Sequence, residues 1–96
     1  MASLSWPFKD PNEVLDYAID WTARLVGGDT ITDSEWSIVD TDPTLTIDAE
    51  ELDPAGMTTV WLAGGTVGTT YHVLNRITTL GGRTMDQTVR LKVKEK

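Results

Sequence analysis

Alternation at period two restricts this chain more than any other feature. Leu15, Tyr17, Ile19 and Trp21 alternate with Asp16, Ala18, Asp20 and Thr22. Trp36 and Ile38 alternate with Glu35 and Ser37, and Leu45 and Ile47 with Thr44, Thr46 and Asp48. Tyr71, Val73 and Ile77 alternate with His72, Arg76 and Thr78, and Val89, Leu91 and Val93 with Arg90, Lys92 and Lys94. Each set places apolar groups on one face and polar groups on the other, as a strand with one buried face requires. Turn signals separate the sets: Lys9-Asp10-Pro11-Asn12, Gly27-Gly28-Asp29, Asp40-Thr41-Asp42-Pro43, Leu52-Asp53-Pro54-Ala55-Gly56, Gly64-Gly65, Gly68 and Gly81-Gly82. Many short strands at this spacing make an all-β sandwich or barrel.

One segment also fits a helix. Asp10 would cap it, Pro11 would open it, Glu13 would complete a capping box and Gly27-Gly28 would end it. Leu15, Ala18, Ile19, Thr22, Leu25 and Val26 would form its apolar stripe. Local pattern leaves both readings open. A compromise runs a strand through Trp21 and then one helical turn over Thr22 to Val26.

The 96 residues make one small domain, with residues 1–10 as an extended arm or first strand and 11–96 as the sandwich. Four Trp within a 40% hydrophobic fraction suffice for a modest core. No Cys is present, so neither a disulfide nor a thiolate enters the argument. No apolar run follows a basic start in Met1 to Asp10, so no signal peptide is expected. The net charge of −7 is unfavourable for nucleic acid and for anionic membranes, and neither is expected as a partner. The one basic cluster, Arg90 to Lys96, reads as the solvated face and frayed end of a last strand.

The ordered set Asp10-Pro11-Asn12-Glu13-Val14-Leu15-Asp16-Tyr17, Ile19-Asp20-Trp21, Gly28-Asp29-Thr30-Ile31 and Trp36 resembles the phage fiber-tail adaptor proteins. The resemblance continues through Val60-Trp61-Leu62-Ala63-Gly64-Gly65-Thr66, the run Gly68 to Thr79, and Gly81-Gly82-Arg83-Thr84. It implies an immunoglobulin-like β-sandwich of about seven antiparallel strands with at most one or two helical turns, and tips the ambiguous segment toward a strand. It implies a non-enzymatic virion subunit of a bacteriophage or prophage tail, made in the bacterial host cytoplasm. Its partners would be other tail proteins, linking tail to fibers or tail-tip components, with ring-like homo-oligomerisation following from tail symmetry. A free-standing immunoglobulin-like module binding carbohydrate or a cell-surface protein is the alternative. Such a module would show a row of exposed aromatics, for which Trp61 is the one good candidate.

Candidate sites are few. His72, the only His, could act as a base for Ser34 or Ser37, but nothing in the sequence joins them, and an exposed strand histidine is the reading taken. Asp40-Thr41-Asp42 begins like a calcium loop, but Pro43 and Thr44 break the pattern and the residues read as a turn. No catalytic, cofactor or metal residue is assigned. Tyr71 opens the penultimate strand, where a tyrosine bonding back to upstream backbone pins a crossover. Trp21 and Trp36 are structural. Asn75 falls in an inward series and needs a buried partner.

Parity supplies one for Asn75. A two-residue Gly81-Gly82 turn would place Ile77 opposite Asp86 and Val73 opposite Arg90, mixing faces. A three-residue loop places Ile77 opposite Met85, Asn75 opposite Gln87, Val73 opposite Val89 and Tyr71 opposite Leu91. Gln87 then offers the amide partner, and Gly82 takes the left-handed position. The candidate protein interface is Trp6 and Phe8 on the Pro-bounded arm, with Arg76 and Arg83 as a second patch. The competing reading makes Trp6 and Phe8 first-strand core residues and the arginines solvated.

Overall fold

The structure, a computed structural model, describes residues 4–96. It is a β-sandwich of seven strands: β1 (Leu4–Ser5), β2 (Val14–Asp20), β3 (Ile31–Ile38), β4 (Leu45–Asp53), β5 (Met57–Gly64), β6 (Thr70–Thr79) and β7 (Thr84–Lys92). One sheet has the order β1-β7-β6-β3 and the other β2-β5-β4. The strands are not all antiparallel, which corrects one expectation. β1 runs parallel to β7, with Leu4 beside Val89 and Ser5 beside Arg90, and Lys9 bridges Val93 in the same sense. The first strand thus lies along the last before the chain crosses to the other sheet.

The alternating residues meet between the sheets. Tyr17, Ile19, Trp21, Trp36, Val60, Leu62, Tyr71, Val73, Ile77, Val89, Leu91 and Val93 are all buried there. Each fully buried aliphatic side chain contributes about 1.5–3 kcal/mol relative to exposure. The ambiguous segment takes the compromise form. Its strand ends at Asp20, and a single 3-10 turn spans Thr22–Arg24. Asp20 explains the switch, because its Oδ1 accepts from the Thr22 amide at 2.9 Å and the Thr22 hydroxyl at 2.7 Å. Such a local acceptor favours a turn over continued extension.

The β6–β7 hairpin has the odd-loop register. Ile77 pairs with Met85, Asn75 with Gln87, Val73 with Val89 and Tyr71 with Leu91. Leu80, Gly81 and Gly82 form the loop, closed by Thr79 N–H to the Arg83 carbonyl at 2.9 Å, and Gly82 has φ +86°. Two edges carry bulges, one between Ile31 and Asp33 on β3 and one between Ile47 and Ala49 on β4. Beyond its bulge, β4 is exposed on both faces from Ala49 to Asp53.

Gly64 ends β5 at φ +77°, and a Cβ there would stand 2.3 Å from the Thr44 carbonyl oxygen. Backbone cannot yield as a side-chain tip can. Gly64→Ala is therefore expected to cost about 2 kcal/mol or more, combining strain with a clash. Urea denaturation measures it; an unchanged midpoint would show that β5 ends differently.

Candidate protein interface

The arm's first three residues lie outside the described residues. From Leu4 onward the arm is stitched to the C-terminal strand. Trp6 N–H donates to the Arg90 carbonyl at 2.9 Å, Lys9 N–H to Lys92 at 3.1 Å, and Lys94 N–H to Lys9 at 2.8 Å. The Trp6 ring stacks on Tyr17 with centroids 4.7 Å apart and lies 6.1 Å from Trp36. Trp6 is half-buried: its ring joins an aromatic cluster spanning both sheets, and it also lines the groove beside Phe8. The same burial pushes the Tyr17 phenol up to about 12, helped by the Glu13 and Asp16 carboxylates.

Phe8 behaves otherwise. It is 48% exposed, and the Lys94 ammonium stands 4.3 Å over its ring. An open groove beside it is lined by Ser5, Trp6, Phe8, Thr70, Arg90 and Lys92. Next in the chain, Lys9 is fully buried, and its Nζ donates to the Gly64 and Asp10 carbonyls at 2.7 and 2.9 Å. Desolvation draws this ammonium below the ordinary lysine range, against the pull of the Glu13 and Asp10 carboxylates. Sequence reasoning missed Lys9, because a lysine beside a turn carries no signal of burial.

Arg76 and Arg83 do not form one patch open to an acidic neighbour. Arg76 makes a two-pronged pair with Asp86, at 2.8 and 3.0 Å. Arg83 Nη1 meets Asp29 Oδ2 at 2.9 Å, and Asp29 also accepts from Gly81 N–H at 2.8 Å. Both arginines are half-exposed, so solvent screens each pair and little stability rests on either. Their acidic partners lie within the chain, where the pairs clasp the last hairpin.

Asn75 is buried with all its hydrogen-bonding positions filled. Its Oδ1 accepts from Thr58 Oγ1 at 2.7 Å and Trp21 Nε1 at 3.1 Å. Its Nδ2 donates to Ser34 Oγ at 2.9 Å and the Glu35 carbonyl at 3.0 Å. This network ties β6 and β3 to β5 across the core. Gln87 takes no part; its amide donates to the Thr88 carbonyl. That corrects the expected Asn75–Gln87 amide pair while leaving their register intact. Trp36 contributes area alone, since its buried Nε1 has no partner among the described residues.

Tyr71 joins a second network at the far end of β6. Its hydroxyl accepts from Thr66 N–H at 2.8 Å, five residues upstream, and donates to Asp42 Oδ2 at 3.0 Å. Asp42 Oδ1 also accepts from the Thr44 amide and hydroxyl, the geometry of an Asx turn. Bonds from Thr44, then Thr66 and Tyr71, hold the Asp42 carboxyl at about 2, below the ordinary 3.8. A depressed carboxylate contributes its full stability above pH 3.8 and loses it as pH falls toward 2. The stability gap between the unaltered chain and Asp42→Asn is therefore expected to close between pH 4 and 2 in urea titrations. A gap constant across that window would refute the assignment. The neighbouring Asp40 binds the His72 amide and ring, with Nδ1 at 3.1 Å. Neither Ser34 nor Ser37 joins that pair, since Ser34 faces Asn75.

These features define a β-sandwich whose carboxylates brace turns and whose exposed Phe8 lies beside the Lys94 ammonium. Its sequence carries the particular family: a model described as podophage GP4 fiber-tail adaptor protein gp77 matches residues 9–92, and the chain belongs to that family. It is thus a structural protein of the phage fiber-tail adaptor kind. No curated protein matches the chain. No helix among the described residues is long and apolar enough to cross a membrane.

Proposed function

We propose that this chain is a non-enzymatic adaptor subunit that joins the phage tail to fibers or tail-tip components and is present in several copies in the virion. The observation that carries this reading is the family match over residues 9–92. The strand order supports an immunoglobulin-like arrangement. β2-β5-β4 faces β7-β6-β3, as strands B-E-D face G-F-C in constant-type domains, with β1 moved beside β7. Such sandwiches present their edges and loops to partners on a rigid frame. The carbohydrate-module reading gains no support, because Trp61 is half-buried between Asp16 and Ala49 on its neighbouring strands.

Mass spectrometry of purified virions tests the proposal. The chain is expected at a fixed, multiple copy number, and particles made without it should lack fibers. Virions that carry fibers but not this chain would overturn the reading.

A further inference from the structure

The charges of the two sandwich margins are unevenly satisfied. Arg76, Arg83 and Lys96 each hold a carboxylate, Arg24 lies 4.8 Å over the Trp21 ring, and Lys9 is buried. Among the described residues, Arg90, Lys92 and Lys94 have no carboxylate partner. They flank the exposed Phe8 at the β1–β7 margin. Asp48, Glu50 and Glu51 of β4 are likewise exposed and without a cation. They flank a groove lined by Asp33, Ser34, Glu50, Glu51 and the half-exposed Leu52.

Strand order sets these two surfaces at opposite margins. β4 is an edge strand that meets β3, whereas β7 and β1 close the other end of the larger sheet. One margin is cationic with an exposed aromatic; the other is anionic with a groove in which Leu52 is the one apolar lining residue. Two such surfaces on one molecule complement each other between copies, not within one.

We infer that the β1–β7 margin of one copy docks on the β4 margin of the next, giving a head-to-tail interface between copies of this chain. A heterologous contact of this kind closes into a ring when its rotation permits. Charge opposition steers and registers the contact, and Phe8 in the Leu52 groove supplies its buried centre. The inference rests on the multicopy reading above and names the surface that reading leaves open. The competing account is that the β4 carboxylates only keep an open strand edge from pairing.

Charge reversal on the full chain separates the two. One variant carries Glu50→Lys and Glu51→Lys; the other carries Arg90→Glu and Lys92→Glu. In native mass spectrometry at low salt, the unaltered chain is expected to form multimers that dissociate as salt rises. Each variant alone should lose them. A one-to-one mixture should regain them with even copy numbers, because each altered margin then meets its opposite on the other variant. The same variants supplied to a phage lacking the chain extend the test to particles. Each half-reversed chain should be left out, and the chain carrying all four substitutions should be taken up.

Failure of both the mixture and the fourfold variant to recover would show that these margins face other molecules, and would overturn the inference. So would reversal that leaves both assembly and uptake unchanged. Neither result touches the adaptor reading, which stands or falls on whether the unaltered chain is found in the virion.

Discussion

Removing residues 1–9 is expected to lower the thermal midpoint by about 12 °C or more. The truncation takes away the Trp6 ring from between Tyr17 and Trp36, together with the arm's backbone bonds to Arg90, Lys92 and Lys94. It also uncovers the free edge of β7. Loss of a large aromatic packed against the core, together with the arm's backbone bonds, costs about 3 kcal/mol or more, and each kcal/mol moves a domain of this size by about 4–8 °C. Trp6→Ala should reproduce most of the fall. Phe8→Ala should stay within about 0.5 kcal/mol of the unaltered chain, as surface changes do, while impairing uptake into particles. Differential scanning calorimetry on the three variants decides this. A truncated domain within about 8 °C of the full chain would show that the arm is not core.

Asn75→Leu is the second large effect. The substitution fills a similar volume but removes the acceptor shared by Trp21 Nε1 and Thr58 Oγ1, and the donor serving Ser34 and Glu35. Trp21 Nε1 keeps its 3.0 Å bond to Thr58, so the loss falls on the remaining members. Stranding buried partners in one network costs about 3 kcal/mol, or about 12 °C or more. Gln87→Leu is the control. It sits directly opposite Asn75 but bonds only its neighbour's carbonyl, so its effect should be small. Equal losses from the two substitutions would mean that the network is not what holds the sheets together.

That contrast shows how far the amino-acid order could be read. Period-two alternation marks the strands carrying Tyr17, Trp36, Tyr71 and Val89, and parity sets the last hairpin, because both are properties of a strand and its immediate partner. The partner of Asn75 is a different matter. Gln87 is its neighbour along the sheet, but the amide points across the sandwich to Thr58 and Trp21, and no local pattern states which residues two stacked sheets bring together. The arm posed the same difficulty. Trp6 and Phe8 have equal apolar character on either side of Pro7, yet only the cluster around Tyr17 decides which ring is packed against the core. Arg83 reads as a free cation because Asp29 lies 54 residues away in sequence, whereas the Arg76–Asp86 pair follows from the odd-loop register, which sets the two residues opposite each other.

The parallel pairing of β1 with β7 has a consequence for synthesis. The strand pairing and inter-strand backbone bonds of residues 4–9 are made with residues 89–94, so the aromatic cluster around Trp6 cannot be locked in place until residues 89–94 have left the ribosome. Until then Trp6 and the apolar side of Tyr17 remain uncovered, and β7 has an open edge. Contacts so distant in sequence form slowly, and uncovered edges invite pairing with another nascent chain. A polysome translating many copies would expose the same unfinished margin on every chain at once.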